Sequence, residues 1–575
     1  MLLKPPPHLP PLASTLLALL LGWSAVAAQD HDHHGHHGPG TGSGLLEWRM
    51  PPMDMSMSMP GLDGRVPKGT PFLPGAEVDL DSLAEAVPSE VVVMADGDTL
   101  HLTVTLVRRD LGGQSVPAFA YNGQYPGPLI QVEQNSKIFV HLENQIELST
   151  TVHWHGIRVR NPFDGVPGMT QVAVRQGETF MYEVDFLDAG IYWYHPHMNA
   201  DIQPDMGLYG GLLVAPTAEA YYSPVNHEEV LILDDILIDA RGRLPYGHPE
   251  DGANHALMGR FGDLLLVNGE PEYRLEVEQG DVARFYFINA ASARTFNITF
   301  SGSPMKIVAS DVGKFEREEW IDNIVIGSAE RYTVEVLFDA PGELAITNSI
   351  TAIDHFLGEF FEQVDTIGVV TVNPRVEEAS FSEAFWNLRE NADVAEDLEA
   401  LRPNFGRPVD HELTLTLKVD DLPPALITML TVDTVYKPPI EWNDAMPMEN
   451  WLSTTADVSW ILREAGTGRE GMDIEWEFQE GDVLKFRIFN DPRSPHPMNH
   501  PMHVHGQRFL VLELDGVPNQ NLVWKDTAIV PVGSTMDILV EMSNPGDWMF
   551  HCHIAEHLEA GMHTGFTVKP RPLPQ

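Results

Sequence analysis

The sequence predicts an all-β chain of three consecutive sandwich domains, and three observations carry that prediction. One segment recurs as EQNSKIFVHLEN (133–144), EQGDVARFYFIN (278–289) and QEGDVLKFRIFN (479–490), each a turn, an alternating run and a closing Asn. A second segment follows each copy: GETFMYEVDFLDAGIYWYHPH, AERYTVEVLFDAPGELAITNS and STMDILVEMSNPGDWMFHCH, all strand, polar or acidic turn, Gly, strand. Alternation such as T-M-D-I-L-V between Gly/Pro turns is the pattern of short antiparallel strands, and long amphipathic helical patterns are scarce. The expected domains are 85–217, 226–375 and 405–570, with a polar linker around residues 375–408.

Length and composition agree with several domains. The 575 residues exceed one domain, and 43% hydrophobic against 21% charged residues allows sizeable cores. A net charge of −48 argues against nucleic acid or an anionic membrane as partner, and its simplest consequence is solubility.

Residues 1–28 read as a secretory signal: Lys4, an apolar run from Ser14 to Val26, and small residues before Ala27 and Ala28. No later stretch reaches the roughly 18 apolar residues of a membrane span. The mature protein is expected to be exported, to the periplasm or beyond, although the signal lacks a twin-arginine pair. Residues 29–75 form a His- and Met-rich leader expected to hold little regular structure. It carries His31, His33, His34, His36 and His37, then Met50, Met53, Met55, Met57 and Met59. Thioether sulfur suits Cu(I) and imidazole suits Cu(II), so the leader is either a copper-capturing segment or a solvated tether.

The sole cysteine, Cys552, stands between two histidines in HCHIAEHLEAGM (551–562). It cannot form an internal disulfide. Four H-x-H pairs exist, His153/His155, His195/His197, His503/His505 and His551/His553, and residues two apart on a strand share a face. The repeats set His195-Pro196-His197 opposite His551-Cys552-His553, and both opposite Thr347-Asn348-Ser349, so the outer domains carry the pairs and the middle one none. Core histidines scattered by chance would not recur in this way. If the outer domains face one another, eight imidazoles converge. Cys552 then points away from its flanking histidines, toward His500 and His557, with Met562 as a weak axial ligand. Two imidazoles, a thiolate and a thioether favour an electron-transfer copper; zinc competes for His and Cys but would leave an isolated redox-silent site.

HWHG, WYHPHM, HPMHVHG and HCHIAEHLEAGM resemble the four copper motifs of multicopper oxidases, in the order and spacing of the three-domain laccase-like group. The likeness spans roughly residues 85–570 and implies cupredoxin-like Greek-key domains. It implies four coppers: a type 1 ion on His500, Cys552, His557 and Met562, a type 2 ion on His153 and His503, and a type 3 pair on His155, His195, His197, His505, His551 and His553. Asp164, in NPFDGVPGMTQ, resembles the family's acidic residue that assists proton delivery to oxygen; its other reading is a turn residue before Gly165. The implied reaction couples one-electron oxidation of phenols or aromatic amines to four-electron reduction of O2 to water. Copper-efflux oxidation of Cu(I) is the alternative, and a non-catalytic copper-sequestering protein the remote one. Against the efflux reading, Leu558 stands where those enzymes often carry an acidic residue, and no long Met-rich insertion interrupts the third domain.

Overall fold

Each copy of the first repeated segment becomes a central strand flanked in the same way. In the structure, a computed structural model that describes residues 46–53, 59, 61–354, 359–375, 380–433 and 446–571, Lys137–Asn144 runs parallel to Thr99–Leu111 and antiparallel to Thr179–Asp185. Asp281–Asn289 lies likewise between His227–Ile236 and Arg331–Phe338. Val483–Asn490 lies between His411–Val419 and Thr535–Glu541. The residues 1–28, the histidines from His31 to His37, and Met55 and Met57 lie outside the described residues.

The Asn that closes each repeat has a physical reason. Asn144 Nδ2 donates to the carbonyls of Leu148 and Val174, Asn289 to those of Arg294 and Ile326, and Asn490 to those of Met498 and Val530. All three are buried, so each amide satisfies two carbonyls that water cannot reach. The first two also accept the N–H two residues on; after Asn490 that position is Pro492, which has none to give.

The second sheet of each sandwich holds the strand that follows the Gly turn: Gly190–His195, Gly342–Asp354 or Gly546–Cys552. Asn348 pairs with Ile298 as Cys552 pairs with Met502, so the middle sandwich repeats the backbone of the outer two without their histidines. The chain is therefore all-β, in three cupredoxin-like sandwiches. One apolar core holds Trp154, Tyr182 and Tyr194 of the first sandwich together with Leu510, Leu512, Trp524 and Leu539 of the third. That shared core brings the two histidine-bearing sheets together.

Two segments are more ordered than their composition implies. The linker forms the helices Ser382–Phe385 and Ala392–Glu399, whose Phe385 and Leu398 are buried; isolated apolar residues in an acidic stretch are what the sequence pattern hides. Residues 46–53 lack regular structure but are pinned: Trp48 meets Trp451 edge-on at 6.4 Å, Arg49 pairs with Asp239 at 2.6 Å, and Pro51 is buried. Met53 and Met59 pack against the core of the third sandwich. Among the described residues, no helix is long and apolar enough to cross a membrane.

Candidate metal centre

Strand alternation divides the 551–553 triplet between two faces. Cys552 Sγ lies 3.6 Å from His500 Nδ1 and 3.8 Å from His557 Nδ1, and all three side chains are buried. His500 opens the His500–Val504 strand, whose Met502 and His503 stand opposite Cys552 and His551. The short helix Ala555–Glu559 turns His557 back toward the thiol, and the Met562 N–H donates to the His557 carbonyl at 2.9 Å. Met562 is fully buried in the core that holds Cys552. Trp460 covers both imidazoles, with centroids 4.8 Å from His500 and 4.2 Å from His557.

On the other face the eight imidazoles of the four H-x-H pairs converge. Ring centroids of His153 and His505 are 4.1 Å apart, those of His155 and His503 3.8 Å, and those of His197 and His551 5.2 Å. These rings come from the first and third sandwiches in equal number, as the repeat alignment expects.

The rings are held by hydrogen bonds that decide which nitrogen faces inward. Nδ1–H donates to the Asp164 carbonyl from His153 (2.8 Å), to the Pro196 carbonyl from His195 (3.0 Å), to the Asp526 carbonyl from His503 (2.9 Å) and to the Cys552 carbonyl from His551 (2.7 Å). His505 Nδ1–H donates to Asp164 Oδ2 at 2.9 Å. Each leaves Nε2 as a bare lone pair. His155 is reversed: its Nε2–H donates to Asp526 Oδ1 at 3.0 Å, leaving Nδ1 inward.

The inward nitrogens of His153, His155, His195, His503 and His553 are buried without a hydrogen-bond partner. The bare Nε2 atoms of His505 and His551 stand 2.9 Å apart, with His197 Nε2 3.4 Å from the latter. Burial pushes His197 and His500 down to about 3 and holds the other shifted rings below the usual imidazole range, so they are neutral and their lone pairs are available. Converging neutral lone pairs repel one another, and cations resolve that repulsion. A soft thiol between two imidazoles on one face, and an all-imidazole cluster on the other, form a donor set that suits copper.

Asp164 is fully buried and touches two rings of the cluster through its carbonyl and its carboxylate. The following Gly165 is obligatory: at φ +85°, a Cβ there would stand 2.1 Å from the Val152 carbonyl oxygen. A cavity of about 20 Å³ opens against His195, His197, His551 and His553, bordered by Ser292 and Leu558, and that is room for one water-sized molecule. Beside it, burial pushes the Glu556 carboxyl up to about 7 while Ser292 Oγ donates to it.

Sequence reasoning missed the group that holds the cluster from behind. Asp526 is fully buried and receives both guanidinium Nη atoms of Arg331, at 2.6 and 2.5 Å. Burial opposes its charge, but Arg331 overcomes that and holds the carboxyl well below the usual range. Arg331 also donates from Nε to the Ile191 carbonyl of the first sandwich at 3.1 Å. The middle sandwich, which carries no histidine pair, thus ties the strand bearing His195 to the strand after Asp526. The signal was present in LVWKDTAIV and AERYTVEV, where a charged residue sits inside an apolar strand run, but its partner is 195 residues away. We expect Arg331→Met to lower stability by about 3–5 kcal/mol, because it strands a buried carboxylate. An unchanged denaturant midpoint would remove the pair from this role.

Three family models described as multicopper oxidase match residues 103–219, 217–372 and 440–572, together most of the chain. The chain is 27% identical to the multicopper oxidase MmcO of Mycobacterium tuberculosis over 81% of its own length and 86% of that protein's. It is 25% identical to Laccase-2 of Cryptococcus neoformans, covering 83% and 84% of the two chains. Among solved structures it is similar to the bacterial laccase-like multicopper oxidase CueO of Ochrobactrum sp., with a TM-score of 0.62 at 22% identity over 84% of this chain and all of that one. The order of the motifs, the paired histidine sheets and these matches lead to one conclusion: the chain belongs to the multicopper oxidase family and is a copper-dependent oxidoreductase.

Proposed function

We propose that the protein is a laccase-like oxidase of four coppers that takes single electrons from a reducing substrate and reduces O2 to water. The observation that carries this reading is the joining of the two donor sets through Cys552, whose backbone leads directly to His551 and His553. In this reading His500, Cys552, His557 and Met562 hold the type 1 ion and His153 and His503 the type 2 ion. His155, His195, His197, His505, His551 and His553 hold the type 3 pair. Bound copper supplies one-electron storage, and four ions match the four electrons that O2 reduction consumes. The domain limits 85–217, 226–375 and 405–570, and export of the mature chain after a signal over 1–28, belong to the same proposal.

The residues around the ions have separate tasks. Asp526 and Asp164 fix ring orientation through their hydrogen bonds, and the apolar packing of Trp460 and Met562 keeps water from the thiolate. The small cavity beside His195 and His551 admits O2 or water but excludes an organic donor. Cys552→Ser should abolish the blue thiolate absorption and nearly all turnover while the eight-histidine cluster still takes up copper. A serine variant that remained blue would sink the type 1 assignment.

Asp164 stands where a carboxylate can pass protons toward the imidazole cluster. Asp164→Asn keeps the size but cannot exchange a proton as a carboxylate does, so O2 reduction should slow by about 10²-fold or more while reduction by the donor is little changed. Equal turnover in parent and variant would leave Asp164 only its turn and its hydrogen bonds.

One observation favours Cu(I) oxidation as the second reading. Cys552 and Met562 belong to a core that also holds Met446, Met448, Met498 and Met502, and Met53 and Met59 of the leader pack against it. A core so rich in thioethers suits passage of a small soft ion better than of a phenol. Compared with a chain beginning at Leu46, one beginning at Gly61 should lose Cu(I)-dependent O2 uptake more than phenol-dependent uptake. It should also lose about 2–4 kcal/mol of stability with Trp48 and Arg49. Equal loss with both donors would favour phenols and leave residues 46–60 a purely structural role.

A further inference from the structure

The first sandwich carries a second group of metal-ligating side chains, on the sheet that bears none of the paired histidines. Thr99–Leu111, Lys137–Asn144 and Thr179–Asp185 are neighbours in that four-stranded sheet. His101 stands in register with His141, and His141 with Met181, so the three form one row across three strands. The buried residues on either side of the two histidines (Leu100 and Leu102, Val140 and Leu142) point into the core, as does Tyr182 beside Met181, so the row faces outward. His101 is exposed, His141 half-buried and Met181 44% exposed.

We infer that His101, His141 and Met181 form a surface site for a monovalent copper ion. The two rings are already spaced as ligands of one ion. Their centroids are 5.2 Å apart with planes at 58°, against 5.2 Å and 55° for His500 and His557 around Cys552. A metal–nitrogen bond of about 2 Å places a ring centroid roughly 3 Å from the ion, so two such centroids stand about 5 Å apart near the tetrahedral angle. Met181 lies on the next strand, directly opposite His141, at a spacing of about 5 Å between paired Cβ atoms, within reach of its long side chain. Two imidazoles would serve several divalent ions, but the thioether selects Cu(I), a soft ion. Glu143 lies two residues along the same face from His141, and the net charge of −48 draws cations to the surface; Glu183, two along from Met181, is paired with Arg160 and Lys137. An ordinary cross-strand aromatic pair would account for the ring contact, but not for a thioether completing the row. The site is separate from the proposed catalytic coppers, and its test reads binding rather than turnover.

Silver(I) is the probe, because it shares the softness of Cu(I) and cannot be consumed as an electron donor. The purified, copper-loaded full chain is titrated with Ag(I) by calorimetry, beside His101→Gln/His141→Gln and Met181→Leu, with phenol oxidation reporting an intact fold. The double histidine variant should take up one equivalent fewer than the parent, and Met181→Leu should bind that equivalent about tenfold or more weakly; both should oxidise phenol as the parent does. The leader is common to all three proteins and cancels in the comparison. The same stoichiometry and affinity in all three would overturn the site. Loss of the equivalent in the histidine variant with none of the weakening in Met181→Leu would overturn its assignment to a soft monovalent ion.

Discussion

The two-residue period of a β-strand is the constraint on which the candidate site depends. In the Gly546–Cys552 strand and the residue that follows, His551 and His553 share one face and Cys552 takes the other. No loop could divide a thiol from two imidazoles so reliably, because strand pairing to His500–Val504 and His563–Lys569 fixes the backbone on both sides. His153 and His155 share a strand in the same way, while His197 and His505 fall just past the ends of the strands Gly190–His195 and His500–Val504.

A period sets direction but does not hold eight converging rings together. Their convergence places bare nitrogens within 2.9 Å of one another, so the surrounding protein has to impose that geometry from outside. Acceptors set around the rings do this: carbonyls of Asp164, Pro196, Asp526 and Cys552, and the carboxylates of Asp164 and Asp526. The bidentate Arg331–Asp526 pair links this shell to the middle sandwich. A sandwich that lost its ligands, or never had them, still contributes a guanidinium where the outer two meet. A buried pair of this kind is weak evidence for net stability, but its geometry leaves Asp526 one arrangement.

The candidate site was more legible than the shell around it. Cys552, His500, His557 and the H-x-H pairs could be read because local period and recurrence both act over a few residues. Asp164 was marked by its likeness to the family's acidic residue, whereas its neighbour Gly165, which a tight approach to Val152 requires, pointed to a turn residue. Asp526 and Arg331 carried only the weak mark of a charge within an apolar run, since each makes sense only beside the other. Phe385, Leu398 and Trp48 were equally opaque: a lone apolar residue in a polar stretch states that something can be buried, not where.

By itself the sequence determined the all-β class, the three-fold repeat, the closing Asn of each copy and the face on which each histidine lies. These follow from backbone periodicity and from hydrogen bonds within about forty residues. Only the tertiary structure decided that the first and third sandwiches share a core, that each imidazole of the eight-ring cluster presents Nε2 except His155, and that Arg331 secures Asp526. It also decided that His101, His141 and Met181 stand in one row, although 80 residues separate the first from the last. Such facts depend on which surfaces meet and in what register, and that is set by packing between segments distant in the chain rather than by any local pattern.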